Sequence, residues 1–161
     1  MQKNHEKYMK EALKQATFAF EKDEVPVGAV IVFKGQIIAR AHNQIKTLKD
    51  PTAHAEIIAI TQAAAFLGNE RLNGCDMYAT IEPCSMCAGA MVLARIKNLY
   101  YATQDTKAGA ACSVINILDN KRLNHRVKAS SGILKDECRL LIQVFFKKKR
   151  KASRGNIAFI K

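Results

Sequence analysis

Apolar residues recur at three- and four-residue spacing from Tyr8 through Met9, Ala12, Leu13 and Ala16 to Phe20, the stripe of an amphipathic helix lying on a core. Glu24-Val25-Pro26-Val27-Gly28 breaks the stripe, and the apolar run over residues 29–33 predicts a buried strand. Lys34-Gly35 then turns the chain into a second strand over 36–41, as a hairpin. Periodicity is lost from Asn43 to Thr52, a loop delivering the chain to a helix through Ile57, Ile58, Ala63 and Leu67, capped by Thr52 or Asp50 and stopped at Gly68. Residues 76–81 predict a buried strand, after which Glu82-Pro83 opens a helix with Pro83 at its first position. Residues 99–102 form a further strand candidate, and 105–113 a glycine- and alanine-rich loop. Leu134, Cys138, Leu141, Ile142, Phe145 and Phe146 share one face of a last helix that runs out into Lys147-Lys148-Lys149-Arg150-Lys151. Strands alternating with helices after a hairpin predict an α/β three-layer sandwich with a mixed sheet. No repeat or linker divides residues 1–161, which read as a single domain.

With 161 residues and 48% apolar content the chain fills one core and is short for two. No apolar run follows the polar Met1-Gln2-Lys3-Asn4-His5 and no segment approaches membrane-spanning length, so neither signal peptide nor membrane helix is expected, and the cytosol is the expected compartment. Five cysteines without a secretory signal favour metal or buried thiols over a disulfide framework. Cys75, Cys112 and Cys138 lack ligand spacing and read as small core residues. The net charge of +12 is concentrated: residues 121–161 hold 13 of the 26 Lys and Arg but only Asp136 and Glu137 of the 14 acids. That footprint suits a polyanion, and without an amphipathic anchor or lipidation motif, nucleic acid is favoured over a membrane surface. A solubilising basic tail is the plainer alternative.

The candidate chemistry lies in two stretches, His54-Ala55-Glu56 and Pro83-Cys84-Ser85-Met86-Cys87. They offer one imidazole, two thiolates, and a carboxylate that is not needed as a ligand. A structural zinc site closes with four protein groups, whereas a catalytic one keeps three and an open corner for water. Three are present here. Helical spacing puts Cys84 and Cys87 on one face, and the helix dipole favours their thiolate forms. Zinc on His54, Cys84 and Cys87 would lower the pKa of a water toward neutrality from about 9. Glu56 could take that water's proton and pass it to a ring nitrogen and then to a leaving amine. Alone, the Cys-x-x-Cys is equally half a zinc ribbon or a redox pair, but no second one completes a ribbon, and a structural site needs no proton carrier. Glu82 reads as a structural acid.

The combination of His-x-Glu with Pro-Cys-x-x-Cys is the signature of zinc nucleobase deaminases. The sequence resembles the cytidine deaminase superfamily over about residues 5 to 150, and within it the bacterial tRNA-specific adenosine deaminases. The narrower resemblance rests on Glu24-Val25-Pro26-Val27-Gly28-Ala29-Val30, Asp105-Thr106-Lys107-Ala108-Gly109-Ala110-Ala111 and Asn124-His125-Arg126. It implies a cytidine deaminase-like, five-stranded mixed sheet between helices and a homodimer with one zinc per subunit. The implied substrate is the wobble adenosine of a tRNA anticodon stem-loop, converted to inosine. By the same likeness Asn43 hydrogen-bonds the target base, Val27 and Ala29 wall its pocket, and the Ala55 and Cys84 backbones border the water. Asp105 and Lys107 meet flanking nucleotides, while Asn124, Phe145, Lys149 and Arg150 lie near the flipped anticodon and its backbone. Taken singly, Asn43 is a turn residue, Asp105 a solvated acid, Phe145 and Phe146 core residues, and His125 as much a structural histidine as an RNA contact. Cys112 stands where the family more often has glycine, and residues 152–161 have no counterpart. A deaminase of free bases would share the zinc site, but a neutral small molecule gains little from the basic C-terminal quarter.

Overall fold

The computed structural model describes residues 2–157. Five strands form one sheet: β1 (Gly28–Phe33), β2 (Gln36–His42), β3 (Asp76–Ile81), β4 (Asn98–Thr103) and β5 (Lys128–Ser131), in the spatial order β2-β1-β3-β4-β5. The β1 strand pairs antiparallel with β2 and β3, while β3–β4 and β4–β5 are parallel, so the sheet is mixed. Among the described residues five helices accompany it: α1 (Gln2–Glu21), α2 (Ile45–Leu48), α3 (Ala55–Leu67), α4 (Ser85–Leu93) and α5 (Lys135–Ile157).

Alternation along the strands sorts the side chains into two cores. Ala29, Ile31, Met77, Ala79, Leu99 and Tyr101 face α3 and α4, while Val30, Val32, Tyr78 and Ala102 face Tyr8, Met9 and Ala12 of α1 and Cys138 of α5. The result is the expected three-layer α/β/α sandwich. Contact between α1 and β1 is close enough that a Cβ at Gly28 would lie 2.0 Å from the Ala12 carbonyl oxygen, so only glycine fits there. The hairpin turn forms at Lys34 and Gly35, both with positive φ (48° and 77°).

Three local expectations are corrected. Residues 43–52 are not all loop, since α2 forms within them; the buried Glu24 carboxylate accepts the Thr47 N–H at 2.7 Å and its hydroxyl at 3.0 Å, anchoring a turn that has no periodic signal. Neither Thr52 nor Asp50 caps α3, because Asp50 folds back on the N–H and hydroxyl of Thr52. His54 takes the N-cap position, and Asn43 supplies the acceptor, its Oδ1 taking the Ala55 N–H at 2.8 Å. Nor does Pro83 open α4: the extended backbone of Cys84 makes it the N-cap, with Pro83 just outside. Gly68 does end α3, in the left-handed region (φ 61°).

Candidate active site and metal centre

All three candidate ligands sit at helix starts that the sheet aims at one point. His54 caps α3, Cys84 caps α4 just beyond the Glu82-Pro83 pair that follows β3, and Cys87 lies in the first turn of α4. Their ligand atoms lie within 4.8 Å of one another. His54 Nδ1 is 3.7 Å from Cys84 Sγ and 3.6 Å from Cys87 Sγ. A tetrahedral zinc with bonds of about 2.3 Å to sulfur and about 2.0–2.1 Å to nitrogen has N···S edges of about 3.6 Å. The donor set and its spacing therefore fit zinc, and among the described residues no fourth His, Cys, Asp or Glu joins the cluster. Hydrogen bonds from Cys87 and His54 draw the Cys84 thiol down to about 3, while the same contact with Cys84, together with burial, pushes the Cys87 thiol up, so the pair without a metal shares one thiolate.

Glu56, in the first turn of α3, is buried at 2% exposure, and its Oε2 has no hydrogen-bond partner among the described residues. Burial pushes its carboxyl up to about 7, against the pull of its own backbone N–H and of His54. A buried carboxylate oxygen without a partner is expensive unless something outside the chain uses it. Glu56 and His54 open together onto a cavity of about 740 Å³, with Cys84, Asn43 and Val27 beside them and Asp105, Lys107 and Arg150 at its edge. The Asn43 Oδ1 is committed to the Ala55 N–H, so its amide NH2 is the group left for a ligand. The arrangement can hold a metal and a water over a proton-accepting acid at the floor of a pocket large enough for a purine.

The MafB19-like deaminase family pattern matches residues 3–150. A tRNA-specific adenosine deaminase of Bacillus subtilis is 46% identical over 156 residues, covering 95% of this chain and 97% of the relative. The one from Aquifex aeolicus is 51% identical over 145 residues, covering 90% and 95%. The chain belongs to the tRNA-specific adenosine deaminase family. A solved tRNA:A34 deaminase superimposes with a TM-score of 0.81 at 46% identity, covering 83% of this chain and 97% of that one. A guanine deaminase from Bacillus subtilis matches less of the chain, 63%, with a TM-score of 0.61 at 43% identity.

Within this deaminase the predicted residues divide. Val27, Asn43, His54, Glu56, Cys84, Asp105, Lys107 and Arg150 line the cavity. Ala29, Ala55 and Cys87 are fully buried and do not line it. Asn124 is exposed and gives its carbonyl to Arg95. Phe145, expected near the anticodon, is buried against Phe20, and Lys149 binds Asp23, which also holds Lys46 at 3.0 Å. In their place α5 presents Ile142, Gln143 and Phe146 to the cavity, with Phe146 42% exposed. Adjacent phenylalanines at the edge of an apolar stripe carry no sequence signal for which one turns inward. His125 takes a structural role, its Nε2 lying 2.7 Å from the Ile96 carbonyl.

Proposed function

We propose that this chain hydrolyses adenosine to inosine at the wobble position of tRNA anticodons, releasing ammonia. The observation that carries the reading is the partnerless Glu56 oxygen beside a three-ligand cluster on the floor of an open cavity. His54, Cys84 and Cys87 would hold one zinc per subunit, which when bound would supply the Lewis acidity that brings a water's ionisation toward neutral pH. Glu56 accepts one proton of the water as its oxygen adds to the ring carbon and delivers it to the adjacent ring nitrogen; it then takes the remaining proton of the new hydroxyl and delivers it to the amine, which leaves as ammonia as the C=O bond forms. One carboxylate serves as base and then acid, and burial poises it near neutrality. The Asn43 amide orients the base while Val27 packs against it.

Access to the amine requires a base already out of a stack, which an anticodon loop presents at low unstacking cost. In this reading the phosphates are met by Arg150, which lines the cavity, and by Lys147, Lys148 and Lys151, exposed along the same helix. Asp105 and Lys107, which line the same cavity, are the residues this reading assigns to the nucleotides beside the target. We place the single-domain enzyme in the cytoplasm with its tRNA; among the described residues no helix is long and apolar enough to cross a membrane. A homodimer through α3 and α4 accounts for exposed Phe66 (66%) and Leu93 (77%). Inosine formation in an anticodon stem-loop, compared with turnover of free adenosine, guanine and cytidine, tests the reading. Activity on the free compounds alone would overturn it.

A further inference from the structure

Glu82, between β3 and Pro83, is 1% exposed, and no ion pair reaches it among the described residues. Its charge is met by one loop. The Oε1 atom accepts the backbone N–H groups of Ala111 (3.1 Å), Cys112 (2.8 Å) and Ser113 (2.9 Å), and Oε2 accepts the Asp105 N–H (3.1 Å) and the Ser113 hydroxyl. Gly109 passes so near that a Cβ there would lie 2.4 Å from the Glu82 carboxyl carbon. The same loop is stitched to the ligand-bearing segment, since the Ala110 N–H donates to the Pro83 carbonyl at 2.8 Å and a β-bridge joins Cys84 to Gly109. Residues 105–108, which line the cavity, are the first turn of the loop that this carboxylate gathers.

We infer that Glu82 is a positioning residue that sets the 105–108 wall relative to the metal cluster, and so governs the fit of the nucleotides flanking the target base. The inference rests on the proposed RNA substrate only for what meets that wall. Contacts to flanking nucleotides are made alike before and during the reaction, so their loss raises KM and spares kcat. Glutamine keeps the shape of Glu82 but turns one acceptor into a donor among five donors, leaving at least one of them unmatched.

The test uses full-length, zinc-loaded Glu82→Gln with an anticodon stem-loop. The expected result is a KM raised at least about tenfold with kcat within about threefold and zinc content unchanged. Without RNA, amide hydrogen exchange at residues 111–113 should accelerate by at least about tenfold while β3 is unaffected. Ser113→Ala, which removes one donor, should shift both readouts the same way by less, and it decides the matter if Glu82→Gln does not fold. Unchanged KM, unchanged exchange, or activity lost in proportion to zinc would overturn the inference. A wild-type enzyme inactive on the stem-loop would instead sink the RNA reading, leaving hydrogen exchange to judge the loop on its own.

Discussion

At the floor of the cavity the chemical groups are short side chains fixed by backbone positions at the starts of α3 and α4, whereas the rim is made of long, exposed side chains on α5 and of a turn. His54, Glu56 and Cys87 sit at two helix starts whose backbones position them. Lys147, Lys148 and Arg150 have much rotamer freedom, and what positions them is α5, tied down by Phe145 and by the Lys149–Asp23 pair. The difference separates two jobs. Bond-making needs groups held to a fraction of an ångström, while attraction of a phosphate backbone tolerates movement and needs only charge at the right distance.

That separation can be broken outright at the floor. Stripping the metal with a chelator should abolish inosine formation and leave stem-loop affinity within about threefold, with activity returning when zinc is restored. Glu56→Gln should lower turnover by about 10³-fold, within the range for a proton carrier, with zinc stoichiometry and RNA Kd unchanged. If RNA affinity fell in parallel in either experiment, floor and rim would be one unit.

The two phenylalanines sharpen the division within a single helix. Phe145→Ala should destabilise the fold by about 3–5 kcal/mol, read by denaturant titration, as removal of a buried ring does. Phe146→Ala should leave stability nearly unchanged and raise KM for the stem-loop by about tenfold. Exchange of those two outcomes would reverse the assignment of the helix face.

The charges make a finer distinction. Replacing Lys147, Lys148 and Arg150 with alanine should flatten the slope of log affinity against log salt by about 2, at roughly 0.7 per phosphate contact on single-stranded RNA. Lys149→Ala should move it less, because its ammonium already serves Asp23. An equal effect from Lys149 would show that RNA displaces Asp23. The smallest expected effect concerns Glu24. Burial pushes this carboxyl up, but the N–H groups of Thr47 and Lys46 and the Thr47 hydroxyl outweigh it and hold it below the ordinary value. A depressed folded-state pKa means stability that is present above about pH 4.3 and lost as pH falls through the folded value. Glu24→Gln should therefore lower Tm by a few degrees at neutral pH and converge with the wild type in acid.

Legibility differed element by element. The α1 stripe, the β1–β2 hairpin, β3, β4 and the Gly68 stop were all readable because each is a local pattern with a local cause. The β5 strand was not, since its Lys-Ala-Ser-Ser is exposed throughout and is a strand only because β4 offers it a parallel edge. The α2 helix escaped for a similar reason, being held by Glu24 more than 20 residues away in sequence. His-x-Glu and Pro-Cys-x-x-Cys were legible as a site because ligand chemistry restricts both residue type and spacing. Glu82 and Phe146 were not, since a lone acid beside a proline and one of two adjacent aromatics have no such restriction.

By itself, then, the amino-acid sequence determined the order of the main elements, the His-Cys-Cys cluster with its neighbouring acid, and the basic end, because each is written in neighbouring residues. Tertiary structure alone decided that Asn43 would accept the first N–H of α3, that Glu82 would gather the 105–113 loop, and which face of α5 would look into the cavity. Those outcomes depend on contacts between residues 12 to 31 apart in the chain, or on the rotation of a helix about its axis, and packing settles such matters where local sequence does not.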